Sequence, residues 1–327
     1  MPPIRVALVA AADSSFVQTD RSILRERFVV RNVLWRGKRS IPSLAWAVLR
    51  SDVTFSWFAL DHAYGACRLA RLFGRKSIVF VGGADAAKRP DLNYGVHLNP
   101  KKGALSRYAM VHSDRVLVVD DRLREEISRN AGVDRSDVLT VNLGFDTDRY
   151  RPDGGPRTNV LTVGIVDDVN VRRKGLETFL EAARLVPELP FVLIGGRPNP
   201  ATERLRSMAP PNLRILGRVS DGELLEEFRR ARVYVQISEY EAFGSALGEA
   251  MACGCVPLGT RVGGIPTLIG DTGLYVPVHD AGATAATIRT AYSSGDGTAA
   301  RTRISERFSL ERRRRLLLDT IERLAAE

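Results

Sequence analysis

Two short segments hold the residue types from which phosphate and sugar recognition can be built. The first runs Ser238, Glu239, Tyr240, Glu241, Ala242, Phe243, Gly244, Ser245 and on through Glu249 to Gly254. It follows an apolar run at 233–237, so Glu241 falls in a turn while Phe243, Gly244 and Ser245 open a helix. Unpaired amides at such a helix start form an anion site, and Gly244 lets a phosphate approach closely. Glu249 lies five residues beyond Gly244, about 7–8 Å further along the helix axis. A carboxylate there can accept two hydrogen bonds from a vicinal diol such as a ribose. Glu241, on the turn itself, can reach hydroxyls on the other side of the phosphates. Two acids astride one phosphate site match a nucleotide-sugar, with ribose at one end and hexose at the other.

The second segment is Arg172, Arg173, Lys174 and Gly175, between a strand pattern at 159–163 and a helix pattern. The chain has 6 Lys and 42 Arg, and Lys174 is the only Lys after position 102. A single Lys retained among so many Arg points to a place that needs a compact ammonium, and a helix start is well placed for it to meet a diphosphate.

These segments need a scaffold, and the chain supplies one. Apolar runs are expected as strands at 4–9, 28–34, 53–57, 77–81, 115–119 and 138–142, then at 159–163, 191–194, 213–216, 233–237, 256–258 and 274–276. Helix patterns lie between them, among others at 20–27, 43–50, 62–73, 105–112, 175–186, 221–230 and 243–253. Such alternation predicts parallel sheets covered by helices on both faces. Two of them in sequence give an α/β chain of two Rossmann-like, doubly wound domains, with a ligand cleft at the carboxyl ends of the strands. The Pro, Gly and Asp cluster at 151–156 marks the linker, giving domains at 1–150 and 151–327. The last helix is allowed to pack back on the first domain.

Composition narrows the class. The 327 residues carry a net charge of +10, of which +8 falls in residues 1–155 and +2 in the remainder. A basic surface suits phosphates, anionic lipid headgroups or nucleic acid. Arg312 to Arg315 precede Leu316, Leu317 and Leu318, with Ile321 and Leu324 at helical spacing, which reads as an amphipathic helix with a solvated basic face. No helix-turn-helix, zinc or aromatic-stacking motif accompanies the charge, so nucleic acid is not the expected partner. No apolar run approaches the ~20 residues of a membrane span. The start of the chain enters an apolar run at once, without the basic stretch of a secretory leader. Three cysteines and four scattered histidines make no metal signature and read as buried thiols and isolated rings in a reducing cytoplasm.

Glu241 and Glu249, eight positions apart, resemble the Glu-x7-Glu segment of the family 4 glycosyltransferases of the GT-B fold, and Lys174-Gly175 resembles the Lys-Gly pair of that family. Ala250 to Pro257, Gly263-Gly264-Ile265-Pro266 and Gly273 to Pro277 match the same family's downstream run. The resemblance covers most of 138–315. The shorter first half, with Asp20 and Gly82-Gly83-Ala84-Asp85, resembles a prokaryotic, partly archaeal subset.

The resemblance implies a role for each of these residues. Lys174 with Arg172 or Arg173 would bind the donor diphosphate, helped by the amides of Phe243, Gly244 and Ser245. Glu249 would hold the ribose and Glu241 the donor sugar, while Arg218 and Val219 would lie near the base. It also implies retention of anomeric configuration, with no metal and no cofactor beyond the nucleotide-sugar donor. Three departures stand out. Ile165 occupies a position where many members carry Arg, and Ala10 to Ser15 replace a Gly-rich loop. Gly82 to Asp85 stand where the family places an active-site His, which makes Asp85 the third catalytic candidate after Glu241 and Lys174, with His97 as the alternative. The expected protein is a cytoplasmic hexosyltransferase, peripheral on the inner face of the membrane, acting on a glycan or lipid-linked acceptor in cell-envelope polysaccharide assembly. Arg36, Lys38, Arg39, Lys88, Arg89, Lys101 and Lys102 would meet an anionic bilayer. The competing expectations are an epimerase or phosphorylase on the same scaffold, a nucleic-acid binder, and a non-catalytic sugar-nucleotide-binding subunit.

Overall fold

A computed structural model describes residues 3–327; Met1 and Pro2, where the reading of the chain start begins, lie outside the described residues. The chain forms two compact units, Met1–Gly144 with Glu311–Glu327, and Phe145–Leu310. The first break therefore falls six residues before the expected position 150, and the last helix counts with the first unit from Glu311 onward.

The first unit holds β1 (Arg5–Ala10), β2 (Val29–Leu34), β3 (Val53–Trp57), β4 (Lys76–Val81), β5 (Arg115–Val118) and β6 (Leu139–Thr140). They form one parallel sheet in the order β2-β1-β3-β4-β5-β6. Its helices are α1 (Ser15–Arg25), α2 (Ile41–Leu49), α3 (Asp61–Leu72), α4 (Pro100–His112) and α5 (Leu123–Ala131). β1, β3 and β4 are buried nearly throughout, as expected for strands covered on both faces.

The second unit holds β7 (Asn159–Val166), β8 (Phe191–Gly196), β9 (Leu213–Gly217), β10 (Ala231–Gln236), β11 (Val256–Gly259) and β12 (Leu274–Tyr275). Their order is β12-β11-β10-β7-β8-β9, again parallel. Counted from β7, this is the 3-2-1-4-5-6 order of dinucleotide-binding sheets. The helices are α6 (Asp168–Arg173), α7 (Leu176–Leu185), α8 (Pro200–Met208), α9 (Asp221–Arg230), α10 (Ser245–Ala252), α11 (Ile265–Ile269), α12 (Ala281–Ser293) and α13 (Thr298–Arg307). Local sequence starts several of them. Ser220 and Glu223 close a reciprocal capping box on α9, and Asp167 and Asn199 cap α6 and α8 with their side chains. All twelve expected strands are present, within a few residues at each end, and the GT-B class of two doubly wound units stands.

The helix α14 (Leu310–Ala326) corrects one expectation. Arg313 does not belong to a solvated basic face. It is buried, with Nε and Nη2 each 2.7 Å from Asp20 and Nη1 donating to the carbonyls of Val141 and Asn142. Arg313, Leu317, Leu318, Ile321 and Leu324 share the buried face of this helix. Asp20 also accepts a hydrogen bond from Trp57 Nε1 at 2.8 Å, so every polar atom of this buried pair has a partner.

Candidate functional site

In a sheet ordered 3-2-1-4-5-6, the first and fourth strands lie side by side, and the loops leaving their carboxyl ends run to opposite sides. In the second unit those strands are β7 and β10, which pair directly. Lys174 follows β7 by way of α6, and Glu241 follows β10. The structure brings them together as an ion pair between Lys174 Nζ and Glu241 Oε2, with side chains 15% and 12% exposed. Gln236 Nε2 donates to Ser238 Oγ at 2.8 Å and to Glu241 Oε2 at 3.3 Å, fixing the carboxylate from the strand side. Burial alone would push the Glu241 carboxyl up. Lys174, and after it Arg173, outweigh that and hold it below the usual range, so Glu241 is ionised at neutral pH.

The neighbouring arginines are anchored as well. Arg173 reaches the Asn170 side chain at 2.6 and 2.9 Å and the Tyr240 carbonyl at 3.1 Å. Arg172 Nε lies 3.3 Å from Glu239 Oε1, and His279 Nε2 lies 2.8 Å from the same oxygen. His279 holds a left-handed backbone, φ +61°, an uncommon conformation for a residue with a side chain.

Gly244, at φ +103°, is the residue before α10 and turns the chain into the helix. Ser245 is exposed at the first helical position, whereas the Phe243 ring is buried against Phe145 and Phe308 and offers only its amide. The turn is pressed from outside by Gly263 and Gly264. A Cβ on Gly263 would collide with the Glu241 carbonyl, and one on Gly264 would stand 2.6 Å from the Ala242 oxygen. The Gly-Gly-Ile-Pro run thus serves to seat the Glu241 turn. Glu249 is half-buried on α10 and hydrogen-bonded to Tyr150. Burial raises its carboxyl to about 7, against the pull of Tyr150 and Arg149. Arg218 and Val219 follow β9, two strands from β7 and hence about 10 Å along the same carboxyl edge.

Asp85 is the one catalytic candidate that falls outside the second unit. It lies in the first unit, fully buried, and its carboxylate accepts from the amides of Ala59 at 2.8 Å, Gly82 at 3.1 Å and Gly83 at 2.8 Å. A carboxylate closed over three amides holds the backbone around it together. His97 Nε2 lies 2.9 Å from the Asp85 carbonyl in the same loop. Asp13, in the loop that stands in place of the Gly-rich one, accepts from Arg21 at 2.8 Å. The residues that sequence reasoning missed are Tyr150, Gln236, Asn170, Glu239 and His279. Gln236 lies just before the Glu241 segment and Glu239 within it, so both carried a signal in their position. Tyr150 and His279 meet their partners only through the fold.

Among the described residues no group of three His, Cys, Asp or Glu side chains is placed to hold a metal ion. The three cysteines are free and buried. No described helix is long and apolar enough to cross a membrane.

With this geometry in hand, comparison with known proteins gives a consistent picture. Residues 157–294, which contain Lys174, Glu241 and Glu249, match the family described as "Glycosyl transferases group 1". A phosphatidylinositol N-acetylglucosaminyltransferase component of Arabidopsis thaliana is 26% identical over 186 residues, 54% of this chain and 40% of that protein. The D-inositol 3-phosphate glycosyltransferase 2 of Catenulispora acidiphila is 31% identical over 196 residues, 52% of this chain and 46% of that protein. The chain thus spans about half the length of the curated relatives it matches. An Anabaena protein crystallised with UDP and glucose superposes with a TM-score of 0.81 at 14% identity, over 98% of this chain and 99% of that one. The resemblance to GT-B glycosyltransferases read from the sequence is therefore found again in the family match and in the fold.

Proposed function

We propose that this protein is a glycosyltransferase that moves a hexosyl group from a nucleoside-diphosphate sugar to a glycan or lipid-linked acceptor, with retention of anomeric configuration. The observation that carries the reading is the Lys174 and Glu241 pair at the switch point of the second sheet, beside the start of α10. An ammonium has three N–H donors, so the pair with Glu241 leaves Lys174 able to donate to a phosphate. Arg173 and the amides at the start of α10 add positive potential. The C1–O bond of the donor breaks with its electron pair passing to the diphosphate. The acceptor hydroxyl bonds to C1 from the same face and gives its proton to the departing phosphate oxygen. Cationic side chains carry the neutralisation in this scheme, with no metal and no further cofactor. Each stabiliser of a developing charge contributes about 2.7–4 kcal/mol to the barrier. Glu241 orients the sugar, Glu249 the ribose, and the backbone at Arg218 and Val219 faces the base. The first unit carries the acceptor in this scheme, and the names of two relatives contain phosphatidylinositol and inositol 3-phosphate.

A thermal-shift panel of UDP-, GDP- and ADP-sugars tests the donor half. A ligand at 100 times its dissociation constant adds about 2.7 kcal/mol of stability. No shift with any nucleotide-sugar would refute the reading. Donor binding without transfer to any acceptor would favour a non-catalytic binding role, which the closed Asp85 loop keeps in view.

A further inference from the structure

β2 is an edge strand of the first sheet, and α2 follows it. Residues 29–50 contain five basic side chains, Arg31, Arg36, Lys38, Arg39 and Arg50, and no acidic one. The helix itself, Ile-Pro-Ser-Leu-Ala-Trp-Ala-Val-Leu, has Ser43 as its single polar residue. Leu44, Ala47 and Val48 face the core against Ala7, Val9 and Val33. A surface helix ordinarily turns a polar face outward. Here the outer face is apolar too, with Ile41 48%, Trp46 57% and Leu49 45% exposed. Positions 41, 45 and 49, with 46 beside them, form one stripe along the helix.

Cations bracket that stripe. Arg36, Lys38 and Arg39 are exposed in the loop leading into it. The Arg31 guanidinium sits 5.5 Å from the Trp46 ring centroid, and its Nη1 donates to the Arg50 carbonyl at 3.1 Å. At the far end Arg75 Nη2 donates to the Leu49 carbonyl at 3.2 Å, with Asp52 3.9 Å from its Nη1, and Arg50 is exposed. An apolar strip with Arg36, Lys38 and Arg39 at one end and Arg31 and Arg50 at the other is complementary to a surface that is anionic at its face and apolar beneath. A second copy of this chain is not: a two-fold contact through this strip would set Arg36, Lys38 and Arg39 against their own like charges. A helix of nine residues is also far too short to span a bilayer, which leaves only a contact along its surface.

We infer that α2 and the Arg36 to Ser40 loop form a docking face for an anionic lipid bilayer, with Ile41, Trp46 and Leu49 entering the headgroup region and the surrounding Arg and Lys side chains meeting lipid phosphates. Lys88, Arg89, Lys101 and Lys102 of the sequence expectation are not needed; the contact is partly apolar, which charge alone did not foresee. The inference deepens the proposed function by naming the surface from which a lipid-linked acceptor would be met. It rests on that reading for the acceptor only, since the docking itself needs no donor.

The test is co-sedimentation of the full chain with vesicles of phosphatidylcholine alone or of phosphatidylcholine mixed equally with phosphatidylglycerol, at low and high salt. Two variants accompany it, Arg36→Gln/Lys38→Gln/Arg39→Gln and Ile41→Ser/Trp46→Ser/Leu49→Ser. All six side chains are exposed, and donor-induced thermal shifts equal to wild type show that both variants keep the fold and the donor site. The expected result is binding to the mixed vesicles that weakens in high salt, little binding to phosphatidylcholine, and a loss of about 100-fold for the charge variant. The serine variant is expected to lose binding as well, at unchanged charge. No binding, equal binding to both vesicles, wild-type binding by both variants, or conversion of a soluble dimer to a monomer by the serine variant would each overturn the inference. A failed donor shift with intact vesicle binding would instead count against the glycosyltransferase reading.

Discussion

Each unit places an ion pair beside the switch point of its sheet, and the two pairs differ in how far they are buried. In the first sheet the order changes direction between β1 and β3, and in the second between β7 and β10. Beside the first switch point, Phe16, Trp57 and Phe58 pack within 4.6 to 5.8 Å of one another, and Asp20 and Arg313 are 0% and 2% exposed. The Arg313 guanidinium also lies 5.1 Å from the Phe80 centroid and 5.6 Å from that of Trp57. At the second switch point, Lys174 and Glu241 stay partly exposed, beside a helix start and a turn lined by glycines. Charge pairing alone therefore does not mark a site. The pair shielded by aromatic rings, with a partner for every polar atom, ties the first unit together, whereas the pair at the edge, with donor capacity to spare, is the one the proposed function uses.

The first way to break this comparison is Arg313→Ala. It strands Asp20 in an apolar setting, so about 3–5 kcal/mol of stability is lost. Thermal unfolding of the full chain should fall by about 6–20 °C. A smaller drop with Asp20 still buried would show that the pair adds little to the first unit. Next comes Asp85→Ala, which takes the acceptor from the Gly82 and Gly83 amides after β4 and from the Ala59 amide after β3. A loss of about 1–3 kcal/mol is expected, with transfer per folded molecule unchanged. A selective collapse of turnover with normal stability would restore Asp85 as a catalytic residue.

The smallest expected effect is in Glu249. Its carboxyl, raised to about 7, is neutral in the fold at pH values where an unfolded Glu is ionised. Its contribution to stability is thus full below about 4.5 and lost as pH rises through 7. The size is on the order of 1–2 kcal/mol, allowing for its half-exposed position. Under the proposed role of Glu249, donor affinity should run the other way, since an ionised carboxylate accepts from a ribose diol. Glu249→Gln should flatten both slopes between about pH 5 and 8, read by thermal unfolding and by donor titration. Unchanged slopes would remove Glu249 from the site.

Much of this was legible in the sequence because it is local. Alternating apolar runs marked the strands, and the Lys174 and Glu241 segments each followed one of them. Strand order was not legible, because periodicity says which residues pair with a sheet but not which strand is the neighbour. The meeting of Lys174 with Glu241 depends on β7 lying beside β10. The amide partners of Asp85 were not legible, because a Gly-Gly-Ala-Asp turn after a strand looks alike whether its carboxylate faces a substrate or backbone amides. Arg313 was misread among four consecutive arginines, although its spacing from Leu317 and Leu324 placed it on their face. Tyr150 and His279 reach Glu249 and Glu239 across 99 and 40 residues of chain, a relation that no local pattern carries.

The central claim is that the Lys174 and Glu241 pair is the donor-diphosphate and sugar end of a glycosyl-transfer site. The direct measurement is transfer from the nucleotide-sugar that stabilises the wild-type protein, compared between wild type and Lys174→Ala at limiting donor. The account predicts a fall of about 100- to 1,000-fold with a thermal unfolding midpoint close to wild type. Wild-type turnover in the folded variant would contradict it.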